Sequence, residues 1–197
     1  GVILSASNLG VIDTSGIDLS IAYRFPIGEN SQLGFSFNGT YLDHYYFQAT
    51  PIAINRDCTG YYSTNCENPR PKYKWNFRTT YSTDLFDVSL LWRHIDSVKI
   101  ESFNPDAVAG ETTPSGPNPN RVFDAYEKIK ATDYFDLSVR GKISDTFELS
   151  FLAANLLDKK PPIVGSGAGG TAFNNGNTFP TTYDVLGRTY TLSGRLT

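Results

Sequence analysis

The sequence predicts an all-β protein, an antiparallel transmembrane β-barrel wall. Three observations carry this. Seven stretches alternate apolar and polar residues, the connections between them alternate short and long, and Tyr and Trp gather near the ends of the stretches. In a membrane barrel lipid wets one face of each strand, so every second residue is apolar. The two ends lie in different compartments and carry short turns and long loops respectively, and Tyr and Trp form belts at the interfaces.

The first strand is expected over 15–25, with Ile17, Leu19, Ile21, Tyr23 and Phe25 on one face and Asp18, Ser20, Ala22 and Arg24 on the other. After a short turn the second runs over 32–47, with Leu33, Phe35, Phe37 and Tyr41 outward. A long loop to about position 71 carries both cysteines. The third strand, 72–81, sets Tyr73, Trp75, Phe77 and Tyr81 against Lys74, Asn76, Arg78 and Thr80. A minimal turn leads to the fourth, 85–95, with Phe86, Val88, Leu90 and Trp92 outward and Asp87, Ser89 and Arg93 inward. The next loop, to about position 131, holds TTPSGPNPN (112–120). The fifth strand, 132–142, opposes Phe135, Leu137 and Val139 to Asp136, Ser138 and Arg140, and the sixth, 147–156, opposes Phe147, Leu149 and Phe151 to Glu148 and Ser150. A third long loop precedes the last strand, 183–197, with Tyr190, Leu192 and Leu196 outward and Thr189, Thr191, Ser193 and Arg195 inward. These lengths suit a tilted span of roughly 9–11 residues.

Composition agrees. The longest apolar runs in the 197 residues are far below the roughly 18 that mark a membrane helix, and mean hydropathy is −0.29, which a polar lumen face accounts for. Net charge is −3, so nothing suggests a nucleic-acid partner. The chain has no Met and no signal peptide, as expected of a processed N-terminus or a piece of a longer chain. Cys58 and Cys66 lie in a polar loop. The favoured reading is a local disulfide in an oxidising compartment. The alternative is a free or metal-binding pair, although His44 and His94 lack metal-site spacing.

Seven antiparallel strands leave the two termini on opposite sides of the sheet, whereas bacterial single-chain barrels have an even count. If the short turns are periplasmic, residues 1 to about 13 lie outside, and the missing wall comes from another chain or fragment. NLLDKKPP (155–162), a Gly/Asn-rich loop and YDVLGRTYTLSGRLT (183–197) resemble the end of TonB-dependent outer-membrane receptors. SGIDLSIAYRF (15–25), the Cys-loop-Cys element and PKYKWNFRTTY (71–81) resemble that family's late strands.

The resemblance implies that residues 1–197 are about the last seven strands of a barrel of the 22-stranded type, in the bacterial outer membrane, whose plug is absent from this chain. It implies import of a scarce nutrient, a siderophore-type iron complex being favoured, with energy from TonB. The expected partners are the remaining N-terminal strands and plug, TonB through that missing part, lipid and lipopolysaccharide, and a small nutrient ligand. No cofactor is expected. The family usually ends in an aromatic residue, commonly Phe, and this chain stops one position short of it, at Thr197.

Other motifs have plainer readings. GSGAGG (165–170) fits a dinucleotide pattern but lacks the flanking strand and helix, so a flexible outer loop is expected. Asn38-Gly39-Thr40 is a sequon by pattern alone, inside a strand. The inward Asp18, Arg24, Arg78, Asp87, Arg93, Asp136, Arg140 and Arg195 either pair across a wet lumen or form a transport path. No nucleophile elbow, zinc signature or triad is found, so no enzyme is expected. Aromatics with a few polar groups suit capture of a hydrophobic chelate or sugar ring. The substrate-contact candidates are therefore Tyr45, Tyr46, Tyr61, Tyr62 and Arg93, against the alternative of an aromatic belt and loop packing. The competing functions are a passive porin-like channel, completed by a strand at 2–7, a carbohydrate-importing receptor of the same family, an outer-membrane enzyme, and a soluble lipocalin-type barrel with its apolar face inside.

Overall fold

The computed structural model describes residues 9–101, 127–165 and 173–196. The segments at 2–7 and 112–120 and most of GSGAGG lie outside them. Eleven strands and no helix are found among the described residues: β1 (Val11–Pro26), β2 (Ser31–Gln48), β3 (Arg56–Asp57), β4 (Tyr61–Tyr62), β5 (Tyr73–Thr83), β6 (Phe86–Ile95), β7 (Val98–Ile100), β8 (Lys128–Ile129), β9 (Thr132–Ser144), β10 (Phe147–Ala154) and β11 (Thr189–Leu196). The large sheet is antiparallel with order β1-β2-β5-β6-β9-β10-β11, and β3 pairs with the far end of β2. It does not close: β1 and β11 are its edges. Nearly every residue of both is exposed on both faces.

The predicted alternation sorts the faces. On one, Phe35 stacks on Phe77, Trp75 meets Trp92 edge-on at 4.6 Å, and Trp92 stacks on Phe135. Leu90, Trp92, Tyr73, Phe151 and Leu192 on this face are all more than a third exposed. The other face is polar, and side chains from β1 through β11 line a single hollow on it. The sheet therefore curls with its polar face concave and its apolar face convex. That arrangement is opposite to the lipocalin type.

Several strand ends differ from expectation by two to six residues, and three of the differences have a local reason. β10 stops at Ala154 because Asn155 takes a left-handed φ of 49°, which Asn tolerates better than most residues. β11 starts at Thr189, six residues late, because 184–187 form a turn in which Asp184 Oδ1 accepts the N–H groups of Leu186 and Gly187. β1 begins at Val11 because a bulge at Asp43 lets pairing continue, Ser15 facing His44 while Gly16 faces Leu42. The extra residue reverses the alternation beyond it. Tyr45 thus shares the concave side with its partner Thr14, and Tyr46 the convex side with Asp13.

Gly16 sits at this bulge, where a Cβ would lie 2.4 Å from the carbonyl oxygen of Tyr41. Backbone cannot yield as a flexible side chain does. Gly16→Ala is expected to destabilise the β1–β2 pair by about 1–3 kcal/mol, checked by denaturant titration against Gly10→Ala, whose nearest contact is 3.3 Å.

A second, three-stranded sheet, β4-β7-β8, is built from the long loops, with β4 parallel to β7. No periodicity in two- or three-residue strands could announce it.

Candidate functional site

The site is layered along the concave side of β6 and β9, where successive inward residues stand about 6.6 Å apart. The top layer is a loop cap. Tyr62, Ile95, Val98, Ile129, Tyr134, Val164, Phe179 and Tyr183 form its buried core, drawn from all three long connections. Tyr62 meets Phe179 edge-on at 5.7 Å, and both are fully buried. Burial pushes the Tyr62 hydroxyl up to about 12 and raises Tyr183 as well, so both rings remain neutral packing groups.

The cap is clasped on its β2 side. Cys58 and Cys66 are bonded, and Ser63 Oγ accepts the N–H groups of Asn65 and Cys66 while donating to Glu101 at 2.6 Å. Glu101 also pairs with Arg56 at 3.3 Å, each side chain 7% exposed. Such a buried pair is strongly destabilising to break from one side. Replacing both cysteines by serine is expected to lower cap stability by about 2–3 kcal/mol, the loop-entropy value for so short a ring. Protease cleavage within 50–70 should accelerate while wall strands stay protected.

The middle layer fastens cap to wall. Arg93 donates to both Asp136 oxygens, at 2.8 and 3.0 Å, reaches Asp184 at 4.0 Å and lies over the Tyr134 ring. Asp136 also accepts the Asn155 N–H at 2.7 Å. Asn155 is fully buried and bonds Lys159 through both its side-chain oxygen and nitrogen. The NLLDK turn is thus a mechanical latch between β9, β10 and the last loop.

Its other jaw is Asp158, which accepts Arg188 N–H at 3.0 Å and Lys160 Nζ at 2.9 Å. Gly187, at φ 75°, gives the carboxylate room, since a Cβ there would lie 2.8 Å from Asp158 Oδ1. The Arg188 amide first, then Lys160, hold the Asp158 carboxyl below the usual carboxylate range. A depressed folded value contributes stability that is full above the unfolded pKa near 4 and is lost as pH falls through the folded value. Exchange protection of the Arg188 amide is therefore expected to be flat at neutral pH and to drop below about pH 4. Asp158→Asn should abolish that acid step.

Below lies the hollow, about 730 Å³, lined by Arg24, Arg78, Ser89, Ser138, Arg140 and Ser193 among others. One pair of its charges meets across strands, Arg140 gripping Asp87 with Nε at 2.9 Å, and Arg78 donates to Ser89 at 3.0 Å. Elsewhere on the same face Thr40 donates to Asp18 at 2.6 Å. The surface is a polar, hydrogen-bonding wall.

The candidate residues separate. Tyr62 is core and offers no free face. Arg93 is an anchor of the middle layer. The Tyr45 ring lies under the Arg70 guanidinium, 4.1 Å from centroid, and its hydroxyl accepts Arg70 at 3.2 Å. Tyr46 packs on His44 on the convex side. Tyr61 is partly exposed beside Lys99. No periodic signal marks Phe179, Tyr183 or Glu101, whose partners lie in other loops, or Asn155, which bonds Asp136 on β9 and Lys159 in its own turn. Among the described residues no group of three His, Cys, Asp or Glu side chains is placed to hold a metal ion.

Strand order and curl define an open, antiparallel segment of a large β-barrel wall, with a cap built from its long loops. Two crystal structures of variants of the ferric enterobactin receptor from Pseudomonas aeruginosa are similar to it, each at TM-score 0.53 and 18% identity over 93% of this chain. The chain spans 22% of that receptor's length. The likeness is one of fold. No family model matches the sequence, and no curated protein does.

Proposed function

We propose that this chain is the C-terminal wall segment and part of the outer cap of an outer-membrane receptor. The receptor imports a scarce nutrient, favoured as a siderophore-type iron complex, using energy passed through TonB. The remaining strands and the plug complete it. The observation that carries this reading is the curl: a convex apolar face left open, over a concave polar one. A large exposed apolar surface marks a partner or a membrane, and here it is banded by aromatics as an interface requires. The two bare edge strands support a larger barrel, since an unpaired edge of 16 residues seeks a neighbour.

In this reading the outer loops capture the ligand and the plug then rearranges. The hollow supplies the polar wall against which the plug rests. Tyr61, with Tyr45 and Tyr46 nearby, supplies aromatic contact at the rim, and Tyr62 supports them from the core.

The test is growth and uptake by cells carrying the intact gene or a deletion. Dependence on ferric chelates under iron limitation, in outer-membrane fractions only, is the expected result. Recovery of the protein as a soluble species, or uptake unaffected by loss of TonB, would overturn the proposal.

A further inference from the structure

The bulge in β2 gathers four polar side chains at the surface. Asp13 and Ser15 come from β1, Asp43 is the extra residue of the bulge, and His44 faces Ser15 in the register. Ser15 Oγ donates to Asp43 Oδ2 at 3.1 Å, which leaves its oxygen to accept from His44 Nδ1 at 2.9 Å. The same nitrogen lies 3.2 Å from Asp43 Oδ2, and Nε2 lies 3.4 Å from Asp13 Oδ1. Acceptors thus stand against both ring nitrogens. Only imidazolium carries an N–H on each, so the cluster is complete only when His44 is protonated.

No cation other than His44 meets Asp13 or Asp43 among the described residues. The charged groups of neighbouring elements are engaged elsewhere. Asp57 of β3 accepts the Thr59 N–H at 2.9 Å, Arg56 is paired with Glu101, and Lys72, just ahead of β5, lies along Gly60. The aromatic pair Tyr41 and Tyr73 lies below His44, toward the short turns, so in the membrane reading the cluster stands at the outer, aqueous end of β2. The Asp13 hydrogen bond first raises the His44 imidazole above its ordinary 6.5, burial opposes this, and Asp43 adds to it. A raised folded value contributes stability that is full below the unfolded pKa near 6.5 and is lost as pH rises through the folded value.

The cluster sits where the wall holds the cap. Next to His44, Tyr45 donates its N–H to Thr59 Oγ1 at 2.7 Å and accepts the Cys58 N–H at 2.9 Å. Tyr46, on which the His44 ring packs at 5.1 Å, pairs with Asp57 of β3. Among the described residues the outer end of β1 pairs with β2 alone.

We propose that Asp13, Ser15, Asp43 and His44 form a proton-operated clasp. Protonated, His44 ties the outer end of β1 to the bulge and steadies the strand end that carries the disulfide loop. Deprotonated, it releases one carboxylate, the two like charges repel, and that end of the sheet loosens. The clasp depends on the strand register and not on the receptor reading.

The experiment uses the intact protein in detergent micelles. Hydrogen exchange at about pH 5.5 and about pH 8, which bracket histidine titration, is corrected for intrinsic rates and followed in wild type, His44→Gln and Asp13→Asn. Protection of residues 11–16 and of the Cys58 amide is expected to be about threefold greater at the lower pH in wild type, the scale of an exposed ion pair. The short-turn ends of β1 and β2 should not respond. His44→Gln should remove the difference and Asp13→Asn should shrink it. In a His94→Gln background His44 is the sole imidazole, and its NMR titration should have a midpoint above 6.5 that Asp13→Asn lowers. An equal pH response in wild type and His44→Gln would overturn the proposal. So would a response uniform along both strands, or a midpoint that Asp13→Asn leaves unchanged.

Discussion

On the proposed membrane reading, replacing Leu90 by arginine is expected to remove about 2–4 kcal/mol of stability, the cost of a cation on a lipid-facing strand position near mid-height. Leu90 stands between Thr79 and Leu137 on the convex side, 41% exposed, with the Trp92 aromatic row above it and Phe86 below. The polar side chain beside it is Thr79, whose hydroxyl cannot neutralise the charge. The control is Ser193→Arg, on the concave side beside the hollow, where water can solvate the guanidinium. Its cost is expected to stay within about 0.5 kcal/mol. Folded protein in the outer membrane, followed by heat-modifiable migration and urea titration, reads both. Equal costs at the two positions would contradict the sidedness on which the functional reading depends.

The second large effect belongs to the cap. Phe179→Ala is expected to cost about 3–5 kcal/mol, because the ring is fully buried against Tyr62 within a core contributed by separate loops. The loss should be local. The wall is held by long antiparallel ladders and meets this core only at strand ends, through Ile95 and Tyr134, whereas β4, β7 and β8 have two or three residues each. Short elements with few partners open at low free energy. Hydrogen exchange should therefore accelerate at Lys99, Ile100 and Glu101, whose amides bond across the cap, and remain slow through β5 and β6. Uniform acceleration would mean that cap and wall unfold as one unit.

The wall was legible because its physics is local. A strand between two solvents must alternate with period two, and Phe77, Trp92 and Leu137 announce their face through their immediate neighbours. The disulfide was legible for a similar reason, two cysteines lying close in one polar loop. The tyrosine cluster was less so. Beyond position 43 the alternation reverses through a bulge, and a bulge leaves no mark in hydrophobic pattern. Tyr45 and Tyr46 therefore exchanged the faces that an unbroken strand assigns them. Tyr61 and Tyr62 look equivalent as a pair of letters, yet one is on the rim and the other is core.

Residue order alone thus settled the all-β class, the seven wall strands and which side of each is apolar, since each depends on neighbours along the chain. It did not settle the direction of curl, the cap core or the latch of Asn155, Asp136 and Asp158. Those depend on contacts between loops distant in sequence, and alternation reads the same whether the apolar face turns inward or outward. Only the folded sheet, closing its polar side around one hollow, decided between them.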